Sequence, residues 1–104
     1  MPELDLPEKY LQQLQTILQA HVPEYEVWAY GSRVTGSAHE GSDLDLVLRH
    51  QNTLSEPCPQ LAELREALQE SCLPILVDVH DWSCLPATFH AQISAAYVII
   101  QFAA

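Results

Sequence analysis

Apolar residues recur at helical spacing near the start of the chain: Tyr10, Leu11, Leu14, Ile17 and Leu18, with His21 on the same side and mostly glutamine, threonine and alanine between them. That period predicts an amphipathic helix over residues 7–20. Pro7 is expected in its first turn, Glu8 complements the helix dipole, and Pro23 ends the run. The pattern then changes. Residues 25–30 (YEVWAY) are aromatic and β-branched and predict a strand, broken by Gly31. A short helix over 32–38 and a turn at Gly41-Ser42 follow. Residues 43–49 alternate, with Leu44, Leu46 and Leu48 on one face and Asp43, Asp45 and Val47 on the other. Residues 51–57 are polar and proline-punctuated, a loop. Leu61, Leu64 and Leu68 mark a helix over 58–70. After Pro74 comes a third strand, ILVDVH, in which Ile75, Val77 and Val79 oppose Leu76, Asp78 and His80. Pro86 opens a helix carrying Phe89 and Ile93, and residues 97–102 (YVIIQF) predict a last strand, at an edge of the sheet. Helices and strands alternate without internal repeat or long linker. The expected fold is one α/β (α+β) domain over residues 1–104, a mixed sheet flanked by helices.

Composition narrows the function. A chain of 104 residues suffices for one small domain with a modest core, and an apolar fraction of 48% argues against disorder. Fourteen acidic residues stand against Lys9, Arg33, Arg49 and Arg65, a net charge of −10. Stable nucleic-acid binding, which needs many cationic phosphate contacts, is not expected. Such acidity suits either solubility alone or docking on a basic partner. Cys58, Cys72 and Cys84 are odd in number and lack C-x-x-C spacing, so neither zinc nor a disulfide framework is expected. They predict reduced, mostly buried thiols in a cytoplasmic protein. The opening MPELDLPEKY lacks the basic flank and apolar run of a signal peptide, and no stretch approaches a membrane span.

Candidate chemistry concentrates in residues 30–48, YGSRVTGSAHEGSDLDLVL. The phosphate-binding pattern G-x-x-x-x-G-K-[ST] fits Gly31 and Gly36 but then fails, because Ser37 stands where lysine must be; G-x-G-x-x-G is absent. Gly31 lets the backbone turn sharply and approach a ligand. Ser32 offers a hydroxyl and an amide at a helix start, either an anion site or a simple N-cap. Asp43 and Asp45 project from one side of a strand, about 6.5–7 Å apart along the chain. Their carboxylates either lie solvated at a strand end or converge on two hard cations held about 3.5–4 Å apart. Mg²⁺ is the expected ion, since it accepts a few carboxylates and completes its shell with water and phosphate. Asp78 interrupts an apolar strand, where an unpartnered carboxylate is costly to bury. Facing the same way on a neighbouring strand it would complete a three-carboxylate metal site; otherwise it faces solvent on a half-exposed sheet.

Gly31-Ser32, ten intervening residues, then Asp43-Leu44-Asp45, with Asp78 on a later strand, resembles the nucleotidyltransferase superfamily that includes DNA polymerase β. The details Tyr30-Gly31-Ser32-Arg33, Gly36, Ser42-Asp43-Leu44-Asp45-Leu46 and Val77-Asp78-Val79 resemble in particular the minimal nucleotidyltransferases, the MntA-like antitoxins of HEPN–MNT toxin–antitoxin pairs. The resemblance covers nearly the whole chain. It implies a single polymerase β-like nucleotidyltransferase domain with Asp43, Asp45 and Asp78 as catalytic and metal-binding residues, holding two Mg²⁺ ions. Gly31, Ser32, Arg33 and Ser42 would contact the nucleotide, ATP. It further implies transfer of AMP to a tyrosine hydroxyl of a HEPN-domain toxin, an RNase, in a type VII toxin–antitoxin pair. A non-catalytic antitoxin that neutralises its partner by binding alone is the alternative. Adenylylation of a small molecule is disfavoured, because the chain is too short for a second domain to form a drug pocket. Arg33 is placed either on phosphate or in a surface salt bridge. His80 shares a face with Asp78 and either reaches the site or is structural. Asp81, Trp82, His39 and Glu40 are expected at the surface or in loops, Trp28 in the core, and Tyr30 beside the nucleotide.

Overall fold

The computed structural model describes residues 3–39, 41–50, 52 and 54–103; Glu40 lies outside the described residues. Helix α1, Glu8–His21, presents Leu14 and Leu18 one turn apart, and both are fully buried. Pro7 stands just before the helix as its N-cap, with its carbonyl accepting from the Tyr10 and Leu11 amides at 3.0 and 3.1 Å. Strand β1, Glu26–Tyr30, leads into a single-turn helix α2, Ser32–Thr35. This helix is shorter than the expected 32–38, because Gly36 adopts the left-handed conformation (φ 86°) that ends a helix. Strand β2, Leu44–Arg49, begins one residue later than expected and leaves Asp43 just outside it. Helix α3 runs Leu61–Glu70, strand β3 Val77–Asp81, helix α4 Ala87–Ala95 and strand β4 Val98–Gln101. A 3₁₀ turn, Trp82–Cys84, links β3 to α4.

The four strands form one mixed sheet in the order β3-β2-β1-β4. Strand β1 is antiparallel to β2 and β4, while β2 and β3 are parallel. As expected, the last strand lies at an edge. Alternation sorts side chains to two faces. On one face Leu44, Leu46, Leu48, Val27, Ala29 and Val79 pack against Leu14 and Leu18 of α1 and Leu64 and Leu68 of α3. On the other, Trp28, Tyr30 and Val47 pack with Ile93 of α4, joined by Phe89, Tyr97 and Trp82. Trp28 stacks on Tyr97 with centroids 3.8 Å apart, and the Arg49 guanidinium lies 4.0 Å from the Trp28 ring and 4.4 Å from Trp82. Helix α4 thus covers the β1 and Val47 portion of this face. The ends of β2 and β3 nearest Asp45 and Asp78 stay more open.

Three expectations need correction. Asp81 is buried, because the parallel strand continues through it; its carboxylate accepts from the Cys58 amide and from the Ser83 amide and hydroxyl at 3.0 and 2.8 Å. Trp82 joins the second core, stacked on His90 at 3.9 Å. All three cysteines are free thiols, but only Cys58 is buried; Cys72 and Cys84 are exposed. Among the described residues no helix is long and apolar enough to cross a membrane.

Candidate active site

The site is assembled where β1 stops. Gly31 takes φ 82°, a conformation that disfavours any side chain, and a Cβ placed there would collide with the Asp45 carboxylate. Glycine is therefore required twice over, by backbone angle and by close approach. The Gly31 carbonyl accepts from the Val34 and Thr35 amides at 3.0 and 3.1 Å, which sets Ser32, half-buried, at the start of α2.

The segment after α2 is pinned from within. The Ser42 amide donates to His39 O at 3.0 Å, and the Ser42 hydroxyl accepts from the His39 amide at 2.9 Å, forming the expected turn. Arg33 is buried rather than at the surface. Its Nε donates to Ser42 O at 3.0 Å and its guanidinium to Asp5 O at 2.7 Å, while the Asp5 amide returns a bond to Arg33 O at 2.7 Å. Arg33 therefore ties the residue preceding Asp43 to the segment ahead of α1. Sequence reasoning did not find Asp5, and no signal pointed to it, because the contact runs through main-chain atoms.

Register then places the carboxylates. Asp45 of β2 lies opposite Asp78 of β3 on one side and Tyr30 of β1 on the other. Neighbouring strands are about 4.8 Å apart, so the Asp45 and Asp78 side chains leave the same face at adjacent positions. Asp43, exposed, precedes Asp45 by two residues. Asp45 shows the electrostatic consequence. Burial first, then the charges of Asp78 and Asp43, push its carboxyl above the ordinary carboxylate value, and His80 opposes the shift. Tyr30 is likewise raised, by burial and then by Asp45 and Asp78, so its phenol stays neutral. His80 meets Asp78 directly, Nε2 to Oδ2 at 3.2 Å.

Three carboxylates with only oxygen donors, Asp45 and Asp78 on one face and Asp43 near enough for its charge to reach Asp45, suit a hard cation such as Mg²⁺. Like charges also repel. Among the described residues no three His, Cys, Asp or Glu side chains are gathered closely enough to hold a metal ion as they stand. In donor chemistry the three carboxylates fit a divalent metal, and Asp45 and Asp78 leave the same face at adjacent register positions.

A mixed sheet with helices on both faces, a Gly-Ser turn at the end of β1 and carboxylates on two adjacent strands define a nucleotidyltransferase palm. The family model for the central palm domain of mitochondrial-like poly(A) RNA polymerase matches residues 3–103. The probable protein adenylyltransferase MntA of Haemophilus influenzae is 45% identical over 101 residues, 95% of this chain and 85% of that protein. A solved structure described as a toxin-antitoxin with AMP-PNP superposes with a TM-score of 0.70 at 19% identity, covering 90% of this chain and 73% of that one, a likeness of fold. The chain belongs to the minimal nucleotidyltransferase family, the family of MntA.

Proposed function

We propose that this protein transfers AMP from ATP to a hydroxyl, that of a tyrosine, on a HEPN-domain toxin RNase, and so acts in the cytoplasm as the antitoxin of a type VII pair. The observation that carries the reading is the adjacent register of Asp45 and Asp78, with Asp43 two residues ahead and the Gly31-Ser32 turn against Asp45. The Haemophilus relative, named a probable protein adenylyltransferase, and the fold shared with a toxin-antitoxin structure holding AMP-PNP support it.

The Gly31-Ser32 turn receives the β- and γ-phosphates, with the Ser32 hydroxyl as donor; Ser42 lines the nucleotide side, and Arg33, turned inward to Ser42 O and Asp5 O, holds that segment from behind instead of touching phosphate. Asp43, Asp45 and Asp78 are the residues that would hold Mg²⁺, two ions in all. When bound, the metal neutralises the triphosphate and polarises the α-phosphate and the attacking oxygen. Asp78 orients the acceptor hydroxyl and receives its proton. The acceptor oxygen forms a bond to the α-phosphorus, the bond from that phosphorus to the β-phosphate oxygen breaks, and pyrophosphate leaves. Catalysis is positioning with charge neutralisation.

The test is the intact mass of the partner toxin after incubation with ATP and Mg²⁺. The parent protein is expected to add one or more AMP groups. The variant carrying Asp43→Ala and Asp45→Ala should add none and still bind the partner. A partner whose mass never changes while its toxicity is nonetheless neutralised would sink the enzyme reading and leave an antitoxin acting by binding alone.

A further inference from the structure

Strand β3 is an edge of the sheet, and its inner and outer sides can be told apart. The Leu44 amide of β2 donates to Leu76 O at 2.9 Å, so the even residues of β3 turn their backbone groups inward to β2. The odd residues, Val77 and Val79, turn theirs outward. Arg65 of α3 confirms the direction, donating to Val79 O through Nε at 3.1 Å and through Nη2 at 2.7 Å. Exposed strand edges invite pairing with other chains, and a charged side chain laid across the edge limits it. Arg65 covers the Val79 end. Val77, one step nearer the site, faces a cleft of about 380 Å³ lined by Arg65, Leu68, Gln69 and residues 73–79.

The side chains flanking Val77 point to the other face of the sheet. One is Asp78. The other is Leu76, 71% exposed, a large apolar residue in water two positions from a candidate catalytic carboxylate. A docked chain at this edge would therefore have main-chain groups to pair with at Val77, an apolar anchor at Leu76, and Asp78 beside its own side chains.

The geometry points to the outer edge of β3, at Leu76 and Val77, as the docking strip for an extended segment of the protein that accepts the adenylyl group. This rests on the proposed transfer to a partner protein. The segment pairs its backbone with Val77, sets an apolar side chain on Leu76 and presents its hydroxyl beside Asp78, the mode of recognition in which a peptide extends a sheet. Charge fixes its character further. The chain carries −10 with four Lys and Arg in all, and Asp78 stands on the docking face, so the segment is basic around its hydroxyl residue.

Two substitutions separate this strip from the chemistry. Leu76→Gln replaces an exposed apolar side chain with a neutral polar one and adds no charge to attract a basic segment, and Val77→Pro removes an outward amide that the β2–β3 ladder does not use; Val77→Ala controls for lost packing. The readouts are KM for the partner, KM for ATP, and binding of partner to the inactive Asp43→Ala/Asp45→Ala protein with and without Leu76→Gln. Leu76→Gln and Val77→Pro are each expected to raise the partner KM about tenfold or more, the loss typical of a buried anchor. ATP KM should stay unchanged, Val77→Ala should behave as the parent, and Leu76→Gln should weaken binding to the inactive protein. If Val77→Pro fails to fold, Leu76→Gln decides alone. Unchanged partner KM and unchanged binding with Leu76→Gln overturn the docking strip even where transfer occurs. Absence of transfer by the parent protein overturns the activity, while the binding measurement still judges the strip.

Discussion

Asp45 carries the tension of the site. Its carboxyl is raised by burial and by Asp78 and Asp43, so the folded protein holds this proton more tightly than the unfolded chain does. As pH rises from the ordinary carboxylate value of 3.8 through the raised one, the unfolded chain has released its proton and the folded chain has yet to. Stability contributed at this position therefore falls across that window and stays lost above it. In excess chelator, denaturant unfolding across a pH series should show Asp45→Asn with a flatter fall and greater stability at neutral pH than the parent. Identical pH slopes for the two proteins would contradict this account of Asp45. The same residue explains Gly31: a side chain there would collide with the Asp45 carboxylate.

Strand β3 works as an element whose two ends have different tasks. Its start offers Asp78 to the site, and its end is locked by Asp81. The Asp81 carboxylate satisfies the Cys58 amide, leading toward α3, and caps the 3₁₀ turn through Ser83. Asp81→Ala leaves a buried amide without its acceptor and removes the cap, which should cost about 2–4 kcal/mol. Chemical denaturation should register that loss, while metal-dependent ATP affinity of the folded fraction should change little, since Asp81 points to the opposite face from Asp78. An unchanged unfolding midpoint would mean that Asp81 is not a structural lock. The parallel pairing of β2 with β3 matters for the same reason, because it is what sets Asp78 opposite Asp45.

Across the whole molecule, two cores grip one sheet and a net charge of −10 is spread over a chain of 104 residues. Self-repulsion of that size destabilises a compact state, and salt screens it over about 30 Å at 0.01 M but only about 8 Å at 0.15 M. The thermal midpoint of the metal-free protein is therefore expected to rise with NaCl. At matched ionic strength, Mg²⁺ with ATP should add a further rise in the parent and none in the Asp43→Ala/Asp45→Ala variant. Equal gains in both proteins would place metal and nucleotide away from these carboxylates.

Local elements and the direction of most side chains follow from the residue pattern, because they depend on periods of 3.6 and 2 that each segment carries within itself. Leu14 and Leu18, Leu44 to Leu48, and Trp28 in the core were legible in that way. So were the Gly-Ser turn and the three aspartates, whose spacing identified the family. Element ends were less legible: α2 stops at Thr35 because Gly36 turns left-handed, and α3 starts only at Leu61. Tertiary structure alone decided the strand order, the pairing of Asp45 with Asp78, the burial of Asp81 and Trp82, and the inward turn of Arg33 to Ser42 and Asp5. Each of these joins residues far apart in the chain or runs through main-chain atoms, and neither kind of contact leaves a mark in the local pattern of side chains.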